Sequence, residues 1–230
     1  MFLLKSTRKI PKRKIPKDLM FCALDLRTKS PRYGNALPKI TNKQLHSKIP
    51  KTHIFLAIGL KSLTRYYDKK TLSQNDKKHL LLHPNLAKNK SFILSRALKS
   101  YVATLGFDKS NIFFCQSHKQ NIAIIAFARF PIGVDIEIVR HRDFSAHIDF
   151  CFNDFERRLL SVATNPLREF YRIWTLKESL IKLENLTFGD LVAVGLDKKG
   201  AFVKKDGKQI YHTFITGFYK SQKAIITICY

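Results

Sequence analysis

From His53 onward the chain alternates between short apolar runs and stretches in which apolar positions recur every three or four residues. HIFLAIGL at 53–60 is a short apolar run followed by polar residues, which predicts a strand opening the folded region. Leu72-Ser73 and Asp76 open a polar stretch that predicts a helix through Leu82. Lys90-Ser91 leads into a segment where Phe92, Ile93, Leu94, Leu98, Tyr101, Val102 and Leu105 fall at helical spacing, with Gly106 placed where a helix stop belongs. NIFFCQ, NIAIIAFARF and PIGVDIEIV are rich in β-branched and aromatic residues and predict three strands, separated by Ser117-His118-Lys119 and by Pro131. Helical patterns return over Asn153–Leu160 and Leu167–Leu183, and LVAVGL, GAFVKKDG, HTFITGFY and AIITICY read as further strands. Strand, helices, strands, repeated twice, predicts an α+β fold in two halves, 52–130 and 131–230, with no sequence repeat between them.

Residues 1–51 break this pattern. Lys, Arg and Pro dominate, prolines at 11, 16, 31, 38 and 50 interrupt any helix, and one apolar island spans Leu19 to Leu26. The segment is read as a poorly ordered basic arm, either an electrostatic tether or a solvated tail. The basic character extends to the whole chain: 42 Lys+Arg against 17 Asp+Glu give a net charge of +25. That balance favours anionic partners without choosing among nucleic acid, anionic membrane and acidic protein, and an AT-rich coding sequence also produces a Lys-rich chain. Hydrophobic residues make up 45% of the 230, which excludes a wholly disordered protein. Cys22, Cys115, Cys151 and Cys229 are scattered without metal-ligand spacing or a disulfide framework, so reduced thiols in a cytosol are expected. No apolar run approaches the ~20 residues of a membrane span, and MFLLKSTRKIPKRK has too short an apolar stretch for a signal peptide. A soluble cytoplasmic protein without membrane attachment is the expectation.

Two segments carry chemistry. In GVDIE at 133–137, strand alternation places Asp135 and Glu137 on one face while Val134, Ile136 and Ile138 pack on the other. In WTLKESLIK at 174–182, Trp174, Glu178 and Lys182 are spaced by four and stack along one helical stripe. Three carboxylates brought together repel unless a hard cation joins them, and Mg²⁺ takes oxygen ligands while keeping positions for water or substrate phosphate. Separately, Asp135 and Glu137 could be the polar face of an edge strand, and Glu178–Lys182 a surface pair worth about 0.3–0.5 kcal/mol.

Jointly the pattern resembles the 4′-phosphopantetheinyl transferase superfamily, in particular its longer, surfactin-type members. The family's G-[IV]-D-[IV]-E stands here as Gly133-Val134-Asp135-Ile136-Glu137, and its W-x-x-K-E-[SA]-x-x-K as Trp174 through Lys182. Phe152-Asn153-Asp154-Phe155-Glu156 is similar to the intervening aromatic-plus-Glu segment. Ser117-His118 stands where the family commonly has Ser-His-Ser, and Lys78, Lys90, Ser91 and SRALK at 95–99 fall in its basic coenzyme-A-binding region. The resemblance spans about 52–230. Two departures stand out: LGFDKSNIFFCQSHK runs through the place of a Gly-Lys-Pro loop, and Lys119 replaces the last Ser of Ser-His-Ser.

The resemblance implies two halves packed as a pseudo-dimer, each with a small antiparallel sheet and a long helix, in a monomeric chain. It implies transfer of the 4′-phosphopantetheine arm of coenzyme A, the co-substrate, to a serine of an acidic acyl or peptidyl carrier protein. Such holo-carrier synthesis serves fatty acid, polyketide or nonribosomal peptide assembly. Asp135, Glu137 and Glu178 would hold Mg²⁺, Glu178 would also act as general base, and Lys182 would face the leaving group. Ser117, His118, Lys78, Lys90 and Ser91 would contact coenzyme A, and Trp174 would pack in the core. The alternatives are a basic nucleic-acid-binding module, which accounts for the charge but not for the acids, and a non-catalytic relative that binds coenzyme A.

Overall fold

The strand alternation becomes, in the computed structural model, two sheets packed face to face, each with a helix on its outer side. The structure describes residues 19–26, 50–104, 111–219 and 223–230. Strands β1 (Leu19–Asp25), β2 (His53–Leu60), β3 (Phe113–Lys119) and β4 (Ile122–Ala128) form an antiparallel sheet in the order β1-β2-β4-β3. Strand β5 (Gly133–Ile138) pairs with β10 (Ala224–Cys229), which pairs with β9 (Phe214–Tyr219), all antiparallel. A third small sheet joins β6 (Val194–Leu196), β7 (Ala201–Lys205) and β8 (Lys208–His212). The helices are α1 (Gln74–Leu82), α2 (Lys90–Ala103), α3 (Ser145–Cys151), α4 (Asp154–Ser161) and α5 (Pro166–Leu183). The fold is α+β with antiparallel sheets.

Period-two alternation sorts the side chains into layers. From the first sheet, Ile54, Leu56, Ile58, Ile122 and Ile124 meet Val134, Ile136, Ile226 and Ile228 of the second in a continuous apolar core. Phe55, Ala57, Ile125 and Phe127 point the other way, against Leu94, Ala97 and Leu98 of α2. On the far side of the second sheet, Ile225 and Cys229 pack against Ile173, Leu176 and Leu180 of α5, which also carries Trp174 into a stack with Phe170. β4 is buried at every residue because both of its faces are covered.

Leu19–Asp25 differs from the expectation for 1–51. This apolar island pairs with β2 along its full length, Leu19 opposite Gly59 and Asp25 opposite His53, and buries Phe21, Cys22 and Leu24. The gain comes from a long-range partner, so the basic flanks gave no hint of it. The rest of 1–49, and Leu105 with the stop at Gly106, lie outside the described residues. LVAVGL is only half strand: Phe188–Ala193 forms a 3₁₀ turn started by a reciprocal Thr187–Asp190 cap, and the strand begins at Val194. Helix α4 starts at a second such cap, Asn153 with Glu156.

Helix α5 lies unusually close to the second sheet. A Cβ added at Gly133 would sit 2.0 Å from the Ser179 carbonyl oxygen and 2.9 Å from the Leu183 nitrogen. The small residues around it are hydrogen-bonded: Ser179 Oγ donates to the carbonyls of Thr175 (2.7 Å) and Thr227 (2.9 Å), and the Thr175 and Thr227 hydroxyls are 2.7 Å apart. Gly133 therefore sets the helix-to-sheet distance. Gly133→Ala is expected to lower stability by about 1–3 kcal/mol, the usual cost of overpacking, because backbone atoms of α5 would have to retreat; urea denaturation monitored through Trp174 checks this.

Candidate active site

β5 and α5 bring three carboxyl groups together. Asp135 and Glu137 point from the same face of β5, and Glu178 reaches them from α5; one oxygen of each lies within 4.8 Å of the others. Asp135 is 2% exposed and Glu137 6%. Two lysines complete the cluster. Lys182 Nζ, one turn beyond Glu178, donates to Asp135 Oδ1 (2.6 Å), the Val134 carbonyl (3.2 Å) and Ser117 Oγ (3.1 Å), and lies 4.0 Å from Glu178 Oε2. Lys119 Nζ, from β3, donates to Glu137 Oε1 at 2.7 Å. Ser117 Oγ donates to Asp135 Oδ1 at 2.7 Å.

β3 reaches this site because it is the outer strand of its sheet and runs beside β5. Cys115 replaces a backbone ladder there: its Sγ accepts from the Val134 N–H (3.3 Å) and contacts the Val134 carbonyl at 3.8 Å. Cys115, Ser117 and Lys119 alternate onto the β5 side, so His118 faces α2 instead. Burial, Arg96 and Lys182 hold the His118 imidazole below its usual range, so it is neutral at pH 7. Ser91 Oγ donates to the Gln120 carbonyl (2.8 Å) and ties the start of α2, with exposed Lys90, to the turn after Lys119. Lys78 is exposed on α1, and no ion pair joins it to the carboxylates among the described residues. The structure thus gathers Asp135, Glu137, Glu178, Lys182 and Ser117 at one point, and leaves His118, Ser91, Lys90 and Lys78 around α1, α2 and β3.

The electrostatics are those of crowded acids. Burial, then repulsion by Asp135, pushes the Glu178 carboxyl up to about 8, against the attraction of Lys182. Burial also raises Glu137, with Lys119 opposing. Burial works against the charge on Lys182, yet Asp135 and Glu178 hold its ammonium above the ordinary lysine range. Asp135 Oδ2 is buried with no donor, save the proton of a neutral Glu178. An oxygen-rich site with an orphaned anionic atom suits a hard divalent cation, and Asp135, Glu137 and Glu178 would be its ligands.

Residues 131–229 match the family model of the 4′-phosphopantetheinyl transferase superfamily. The match covers β5 to β10 and so includes Asp135, Glu137, Glu178 and Lys182; Ser117 and Lys119 lie before it. No curated protein matches the chain. Within the matched segment, Lys177 and Glu156 turn out to be structural. Lys177 Nζ is 3.1 Å from Glu156 Oε2 with both side chains sealed from solvent, and it also donates to the Leu191 and Val194 carbonyls. Glu156 accepts from the Asn153 and Leu196 N–H groups, and a Cβ on Gly195 would meet it at 2.7 Å. This pair locks α4, α5 and β6 together. The N-x-x-E spacing of Asn153 and Glu156 was its only local signal.

A raised carboxyl makes metal-free stability fall with pH. The folded protein binds the Glu178 proton more tightly than the unfolded chain, so stability is lost as pH rises from the ordinary carboxylate range through about 8. Without divalent ions, Tm is expected to decline over pH 5–8. Saturating Mg²⁺ displaces that proton and should flatten or reverse the slope. Thermal melts with EDTA and with Mg²⁺ across this range check both expectations.

Proposed function

We propose that this protein transfers the 4′-phosphopantetheine arm of coenzyme A to a serine of an acyl or peptidyl carrier protein, as a magnesium-dependent, monomeric, cytoplasmic enzyme. The observation that carries this reading is the convergence of Asp135, Glu137, Glu178 and Lys182 inside the segment that matches the transferase superfamily. When held by the three carboxylates, Mg²⁺ supplies Lewis acidity at the coenzyme A diphosphate. Glu178 takes the proton of the carrier serine directly or through one water. The serine Oγ forms a bond to the pantetheine-bearing phosphorus, and the phosphorus–oxygen bond to the departing 3′,5′-ADP breaks. Lys182, anchored by Ser117 and the Val134 carbonyl, places its ammonium where charge grows on the leaving group. His118 on β3, Ser91 and Lys90 at the start of α2, and Lys78 on α1 are assigned to the coenzyme A phosphates. The net charge of +25 suits both anionic substrates and should make their encounter salt-sensitive.

The test is mass spectrometry of an apo carrier protein incubated with this protein, coenzyme A and Mg²⁺. The carrier should gain the mass of one phosphopantetheine arm, and EDTA should prevent the gain. Asp135→Ala should reduce the rate by at least about 10³-fold and Lys182→Met by about 10²-fold, the range for lost metal or charge-stabilising groups. No gain on any of several carriers by folded, Mg²⁺-binding protein would overturn the reading.

A further inference from the structure

The carboxylate trio is already partly neutralised from within, and its two lysines are held differently. Lys182 is anchored by two neutral oxygens, Ser117 Oγ and the Val134 carbonyl, in addition to Asp135. Removing Asp135 from its reach would still leave it seated. Lys119 has Glu137 Oε1 as the partner of its ammonium among the described residues, and its side chain is 31% exposed where that of Glu137 is 7%. It stands at the last position of edge strand β3, next to the turn at Gln120, whose φ is 49°. The four-carbon stem can carry that ammonium several ångströms without moving backbone, at little cost in solvent. Arg142 adds a weaker, longer-range attraction to Glu137.

Charge counting shows what such a departure would do. With the cation bound and all three carboxylates ionised, the two ammonium groups and the divalent cation leave the site with one net positive charge. Glu137 belongs to the carboxylate trio and also accepts from Lys119, so a cation and the ammonium compete for its charge. Once free, the ammonium stands beside a site with surplus positive charge, and a diphosphate is attracted to both.

We infer that Lys119 is the exchangeable counter-ion of this site: it holds Glu137 while no cation is bound, yields it to a divalent cation, and then presents its ammonium to the substrate diphosphate. Only the last step rests on the transferase reading. The exchange makes metal and coenzyme A binding ordered, because the anion contact is released by the metal.

Lys119→Met separates this from a structural role, since it should move two affinities in opposite directions. Titration of the full-length protein with Mn²⁺ alone, followed by water-proton relaxation or calorimetry, should show binding about tenfold tighter than wild type, about one unit in log affinity for a lost competing charge. Coenzyme A titrated at saturating Mn²⁺ should bind about fivefold more weakly, and Lys119→Arg should restore it, as a point charge lost and regained. Lys119→Gln, measured in the same way, guards against a variant that folds poorly. Mn²⁺ affinity unchanged or weakened, or both affinities falling together, would overturn the inference. If the opposite shifts appear but wild type modifies no carrier protein, the exchange stands and the transferase reading fails; if transfer occurs without the shifts, the exchange fails and the transferase reading stands.

Discussion

Three acids cannot share a few ångströms of buried space unless positive charge is brought to them, and most of the architecture around β5 answers that requirement. The cost of burying Asp135 and Glu137 is offset by ammonium groups from two directions, Lys182 from the helix above and Lys119 from the neighbouring sheet. Each arrives only because something else holds its backbone in place. Gly133 and the bonded trio Thr175, Ser179 and Thr227 bring α5 down onto the sheet, and the Cys115 thiol fastens β3 to the outer edge of β5. The layers of Ile and Leu behind β5 keep it from twisting away. The site is thus an electrostatic compromise carried by tight packing.

The same compromise raises the basicity of the crowded carboxyls. A carboxyl in water is a weak base; crowded against Asp135 and shielded from solvent, Glu178 becomes a much stronger one, and the site gains an affinity for cations in the same stroke. The buried Lys177–Glu156 pair, a few residues away, shows the contrasting case. There both carboxylate oxygens and the ammonium have close partners, so the charges stabilise a junction.

The central elements were legible because their signals are local. Alternation in GVDIE put Asp135 and Glu137 on one face, and the four-residue spacing of Trp174, Glu178 and Lys182 gave one stripe; both hold in the fold. What escaped the sequence depends on partners far along the chain. β1 is a short apolar island in a basic, proline-rich stretch, and only pairing with β2 makes it a strand. β8 (Lys208–His212) is exposed along most of its length and shows no alternation to read. Lys119 looked like an interruption of a Ser-His-Ser pattern, and its partner Glu137 is 18 residues on, in a different sheet. Lys177, inside a motif associated with chemistry, is a core residue, because spacing alone does not say which side of α5 faces β6.

The ion-pair and hydroxyl contacts that build the site join β3, β5 and α5, and the bond from Lys182 to Ser117 closes a span of 65 residues. Such a contact can form only after both sheets have docked, since β3 and β5 belong to different ones. A cation bound at the site draws on the free energy of the finished structure and returns it, clamping helix α5 to strand β5, the two elements that supply its carboxylates.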